Sequence, residues 1–136
     1  MSRIKHIAIR THDPVKTAAF YQQAFGLVQV GRGKNGVYLS DGHINLAVLN
    51  MRAAAEGETM KLGLDHLGFQ VENVDETVNR VKELGGAALA GAVNIPSNHP
   101  ESAQSYFEVK CVGPDSQVID VSNGGWVGAD ENGPHR

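Results

Sequence analysis

At 136 residues and a formal net charge of -3, the chain is long enough to bury one core without disulfides and too short for two ordinary domains. Its acidic and basic residues are interspersed, which argues against nucleic acid or an anionic membrane surface as a partner. The single cysteine, Cys111, cannot close an internal bridge, no apolar run approaches the length of a membrane span, and the N-terminus has no apolar leader-like stretch. Together these predict one soluble cytoplasmic domain, 1–136.

Taken in order, Ile4–Arg10 alternates as a strand, with Ile7 and Ile9 on one face and His6 and Ala8 on the other. Asp13-Pro14 then supplies an N-cap and a proline at the first helical position. The helix runs to Phe25, with Val15, Ala18, Ala19, Tyr21 or Gln22, and Phe25 toward one face, and Gly26 ends it. Glycine-punctuated strands follow at Leu27–Val30, Gly36–Ser40 and His43–Leu49, the last two joined by the turn signal Asp41-Gly42. Met51–Lys61 reads as a linker or irregular loop.

The pattern restarts at Leu64–Val71, where Leu67, Phe69 and Val71 want a core and His66 and Gly68 point the other way. Asn73 with Glu76 forms a capping pair. The helix that follows places Val74, Val78, Val81 and Leu84 on one face, and Gly85-Gly86 stops it. Extended segments are predicted at Ala87–Ala90, Tyr106–Cys111 and Gln117–Val121, with a polar loop, Asn94–Pro100, between the first two. The tail, 123–136, is rich in glycine and polar residues apart from Trp126 and Val127 and is expected to lack fixed structure in part. The chain therefore carries one βαβββ unit twice, 3–50 and 63–122. His6 and His66 lie 60 residues apart, and the two units are expected to share one core.

The positions that could carry chemistry follow from the repeat. A lone strand histidine is ordinarily a core or surface residue. Two at matching positions, each followed two residues later by Ala8 or Gly68, leave room for something and converge if their strands are neighbours. Asp120 lies on the face opposite Ile119 and Val121, where an aspartate inside a β-branched run needs a partner, and a cation would be one. It is the only carboxylate on the cavity face of the four strands considered. Superposing Ile44-Asn45-Leu46 on Ile119-Asp120-Val121 pairs Asn45 with Asp120. Asn45 and His43, one pleat away, are placed as substrate contacts ahead of metal ligation, and Tyr106 is a third expected substrate contact.

The two βαβββ units, the His6-Ile7 and His66-Leu67 strands and the closing Pro114-Asp115…Val118-Ile119-Asp120-Val121 resemble the vicinal oxygen chelate superfamily. This is the group of glyoxalase I, methylmalonyl-CoA epimerase, extradiol dioxygenases and the bleomycin- and fosfomycin-resistance proteins. The resemblance implies an α+β fold in which the two modules form a cupped mixed β-sheet barrel around a divalent metal. By position it makes His6, His66 and Asp120 the ligands, with Asn45 at a fourth site. Asp120 stands where glutamate is usual, and an asparagine at position 45 argues against glyoxalase I activity itself. The implied function is that of a metal-dependent lyase, isomerase or ring-cleaving dioxygenase. Its small substrate would chelate Fe, Mn, Zn, Ni or Co through vicinal oxygens, within a homodimer. A metal-free binding protein of the bleomycin-resistance type, and a scaffold with a vacant site, are the alternatives.

Overall fold

In a computed structural model the described residues form nine strands and two helices: β1 (Arg3–Thr11), α1 (Pro14–Phe25), β2 (Val28–Gly33), β3 (Gly36–Ser40), β4 (Asn45–Asn50), β5 (Gly63–Gln70), α2 (Val74–Glu83), β6 (Ala87–Ala88), β7 (Val93–Pro96), β8 (Ser105–Val112) and β9 (Val118–Ser122). The structure describes residues 2–51, 61–89, 93–96 and 105–129, and of 93–96 and 105–107 only the backbone. The linker 52–60 and most of the polar loop beyond Pro96 lie outside the described residues.

One mixed sheet runs in the order β2-β3-β4-β1-β5-β9-β8-β6, with β7 on β8. Its two ends do not pair, so it is an open cupped sheet. The halves are built alike: β1 runs parallel to β4, β5 runs parallel to β9, and β1 and β5 join them antiparallel. β7 is a strand where the polar composition of Asn94–Pro100 predicted loop; its pairing with β8 outweighs local propensity.

Both helices start as their caps dictate. Asp13 accepts from the Lys16 N–H at 3.1 Å and Asn73 from the Glu76 N–H at 3.0 Å, each satisfying an orphan donor of the first turn. Gly26 closes α1 in the left-handed region at φ 72°, where a Cβ would be strained. The helices pack against the sheet in two separate apolar clusters rather than one shared core. One holds Ala18, Val37, Leu39 and Val48, with Ile9, Tyr21, Leu27 and Leu46 against it. The other holds Val71, Val78, Val109, Cys111 and Val121, with Phe69, Val74, Val81, Ala88 and Ile119. The helix faces are narrower than their periodicity predicts. Val15, Phe25 and Leu84 are exposed, each at or next to a helix end.

The largest departure is the tail. Residues 123–129 leave β9 and fold back over the first half of the sheet, burying Trp126 and Ala129. Ser40 Oγ donates to the Gly128 carbonyl at 2.6 Å, and the Asn45 amide donates to the Val127 carbonyl at 2.8 Å. The indole of Trp126 stacks on His6, ring centroids 4.8 Å apart and planes 3° from parallel. Gly68 leaves room as its sequence position implied, and Trp126 is what fills it. A Cβ at 68 would sit 2.7 Å from both Trp126 Cζ2 and His6 Cβ.

Leu39→Ala, at a side chain with no exposure, should cost roughly 2–5 kcal/mol in urea unfolding; a cost below about 1 kcal/mol would mean the α1 face is not the core described. Gly68→Ala should push the indole off its seat. Because Trp126 is the only tryptophan, its emission should shift to the red and become open to acrylamide quenching. Unchanged emission and quenching would contradict the stacked arrangement.

Candidate metal centre

The site forms where β1, β5 and β9 meet on the concave face of the sheet. Alternation turns His6, His66 and Asp120 to that face and Ile7, Leu67, Ile119 and Val121 to the other. The antiparallel register sets Ala8 opposite His66 and His6 opposite Gly68, while β9 sets Asp120 beside Gly68. His6 Nε2 lies 3.1 Å from His66 Nε2. Asp120 Oδ2 lies 2.9 Å from His66 Nε2 and 3.8 Å from His6 Nε2. All three residues are buried, and their ligand atoms lie within 4.8 Å of one another. For bonds of about 2.0–2.2 Å to a metal, adjacent donors stand roughly 2.9–3.5 Å apart. Two of the three separations meet this, and the third exceeds it by a few tenths of an ångström. Two imidazoles and a carboxylate thus fit a divalent ion.

Two β-bulges flank the centre, each at the residue before a histidine. The register slips between Ile4 and His6, leaving Lys5 as the extra residue, and between Ala8 and Ile9, leaving Asp65 unopposed. Strict alternation would turn Asp65 to the core. The bulge re-aims it, and Asp65 Oδ2 sits 2.6 Å from His66 Nδ1 and Oδ1 sits 3.6 Å from Arg10 Nε. A carboxylate on the far nitrogen of a histidine orients the ring and raises its basicity as a ligand. Asp65 is also a second carboxylate on the concave side of β5, which corrects the reading of Asp120 as the only one there.

Asp120 divides its oxygens. Oδ2 faces the histidines, and Oδ1 accepts from Lys110 Nζ at 2.5 Å. Burial alone would raise its carboxyl pKa. Hydrogen bonds from His66 and Glu108, with the charges of His66 and Lys110, instead hold it well below the usual carboxylate range. Glu108, buried on the same face, is driven up to about 8 by burial first and then by its hydrogen bond to Asp120 and that neighbour's charge. In its protonated form it can donate to Asp120. His6 is lowered to about 4, chiefly by burial, against the raising effect of its hydrogen bond to Asn45. It is therefore neutral near pH 7, the state in which imidazole binds metal.

The other sequence-derived positions fall elsewhere. Asn45 stands beside His6 in the register, and Ala47, not Asn45, is the counterpart of Asp120. The superposition on Ile119-Asp120-Val121 was one pleat out. The Asn45 amide is engaged at both ends, by His6 Nδ1 at 2.8 Å and by the Val127 carbonyl. His43 is exposed in the turn before β4, its N–H donating to Asp41 Oδ1 at 2.8 Å, so the predicted strand start at 43 moves to Asn45. The Tyr106 backbone pairs with Ile95, and its side chain lies outside the described residues. Glu108 and Lys110 were visible as the polar positions alternating with Val109 and Cys111. Asp65 and Trp126 gave no periodic signal.

Solved structures of similar fold include a hypothetical protein from Bacillus halodurans C-125, at 18% identity over 89% of this chain and 93% of that one, TM-score 0.64. Methylmalonyl-CoA epimerase from Mycobacterium tuberculosis matches at 14% identity over 88% and 85%, TM-score 0.66. The 2,3-dioxygenase LapB from Pseudomonas sp. KL28 matches at 18% over 96% of this chain and 43% of its own, TM-score 0.61. At these identities the likeness is one of fold. Residues 3–115, a span that includes His6 and His66 and stops short of Asp120, match a single family profile, and on that match the chain belongs to the Glyoxalase/Bleomycin resistance protein/Dioxygenase superfamily.

Proposed function

We propose that this chain is a small divalent-metal-dependent enzyme, of lyase, isomerase or ring-cleaving dioxygenase type, whose substrate chelates the metal through two vicinal oxygens. The observation that carries the reading is the convergence of His6 Nε2, His66 Nε2 and Asp120 Oδ2 from three strands into one buried cluster. His6, His66 and Asp120 would hold the ion, and the donor set suits Fe(II), Mn, Zn, Ni or Co. When bound, such an ion supplies Lewis acidity toward adjacent substrate oxygens. The rest of the chain's work is positional. Asp65 holds the His66 ring through Nδ1, Lys110 neutralises the outer oxygen of Asp120, and Trp126 closes one side of His6 against water.

A metal-free binding protein is the second reading. The contact that favours it is the one between Lys110 Nζ and Asp120 Oδ1, which gives the carboxylate a charged partner without a metal ion.

The two readings part on metal content. Protein purified without chelators should carry, or take up on titration, one divalent ion per chain. His6→Ala, His66→Ala and Asp120→Asn should each weaken that binding by more than about 100-fold, beyond the 10–100-fold typical of an outer-shell partner. Their helical content should stay intact, since none of the three belongs to the apolar clusters. A folded protein that takes up no ion under competition with a weak chelator would favour the metal-free reading.

A further inference from the structure

The Asn45 amide links two parts of the chain that are 82 residues apart in sequence. Its Nδ2 faces the Val127 carbonyl at 2.8 Å and its Oδ1 faces His6 Nδ1 at 2.8 Å. A backbone carbonyl only accepts, so it dictates which end of the amide turns toward it. The amide oxygen is then left for His6, and an amide oxygen also only accepts. His6 must therefore carry its proton on Nδ1, and Nε2 is left with its lone pair toward His66 and Asp120. Trp126, the residue before Val127, lies flat on the same imidazole and fixes the plane of the ring. Asn45 is 1% exposed, so bulk solvent does not compete for either end of the amide.

We propose that the C-terminal segment Trp126–Val127 is a positioning element for the candidate metal centre: acting through Asn45, the Val127 carbonyl sets His6 in the Nδ1–H tautomer whose Nε2 is free for a divalent cation. The proposal rests on the metal-site reading for its purpose but not for its test. In this arrangement Asn45 is not a fourth ligand. It does for His6 what Asp65 does for His66: each imidazole has an acceptor facing Nδ1 and turns Nε2 toward the cluster. The two acceptors differ in kind. The carboxylate of Asp65 accepts whichever way it turns, whereas the amide of Asn45 has to be told which way to face, and the tail supplies that instruction.

The test is ring-nitrogen NMR of ¹⁵N-histidine-labelled, metal-free protein, followed by Zn(II) titration against a chelator. The unmodified chain should show His6 protonated at Nδ1. Asn45→Leu, and a chain ending at Gly124, should both lose that preference and bind Zn(II) about 10–100-fold more weakly, with the His66 signals still those of a folded protein. Asn45→Asp restores an acceptor that needs no orienting. It should keep the Nδ1–H tautomer, and truncation at Gly124 should then leave the tautomer unchanged, a coupling that loss of general stability would not produce. An Nε2–H tautomer in the unmodified chain would overturn the proposal. So would an unchanged His6 tautomer in folded Asn45→Leu and truncated protein. Nδ1–H in the unmodified chain, lost on truncation, but without Zn(II) uptake, would uphold the tail's role and overturn the metal-site reading instead.

Discussion

Strands β1 and β5 lie antiparallel, with His6 across from Gly68 and Ala8 across from His66. Every feature of the concave face depends on that pairing. It sets two imidazoles on neighbouring strands, one pleat apart, so their Nε2 atoms meet at 3.1 Å. It also puts the smallest side chains directly across from them, and the space at Gly68 is the one the Trp126 indole enters. A slip of one residue in either strand would turn its histidine toward an apolar cluster. The hydrophobic faces of the two strands, Ile7 with Ile9 and Leu67 with Phe69, forbid that slip, so the register of the core is also the register of the site.

Charge is the second constraint. Asp120 is 1% exposed, and a buried carboxylate without partners would cost several kcal/mol. Here it is surrounded by Lys110, His66 and Glu108, each taking part of the load. The result is a closed polar network in a region otherwise walled by Ala8, Ala47 and Trp126. Such networks are stable only when every member is satisfied. A divalent ion at the histidine nitrogens would replace the His66–Asp120 contact and leave the Lys110 contact to the other oxygen in place. The Asp120 oxygens are thus split between a side facing the histidines and an outer side already neutralised.

Much of this was legible in the sequence because it depends on local pattern. Alternation alone placed His6, His66 and Asp120 on one face and Ile7, Leu67, Ile119 and Val121 on the other. Caps at Asp13 and Asn73 and stops at Gly26 and Gly85 bounded both helices. What escaped depends on geometry that no local period encodes. The bulge at Asp65 reverses the side that alternation assigns it. The register of β4 on β1 shifts Asn45 by one pleat from the position inferred by superposing the last strands. The tail reads as polar and glycine-rich, yet folds because Ser40 and Asn45 offer donors to its carbonyls and Gly68 leaves a seat for its one aromatic side chain. β7 forms on a polar stretch because β8 presents an edge to pair with. Glu108 and Lys110 obeyed alternation and could have been found by following the polar face of β8.

The most direct measurement is anomalous diffraction from crystals of the chain grown with Co(II) or Zn(II), collected on both sides of the metal's absorption edge. The account predicts one strong peak between β1, β5 and β9, about 2.0–2.2 Å from His6 Nε2, His66 Nε2 and Asp120 Oδ2, with the Asn45 amide still bridging His6 and Val127. A peak at other residues, or an ion whose ligands include Asn45 in place of Asp120, would contradict it.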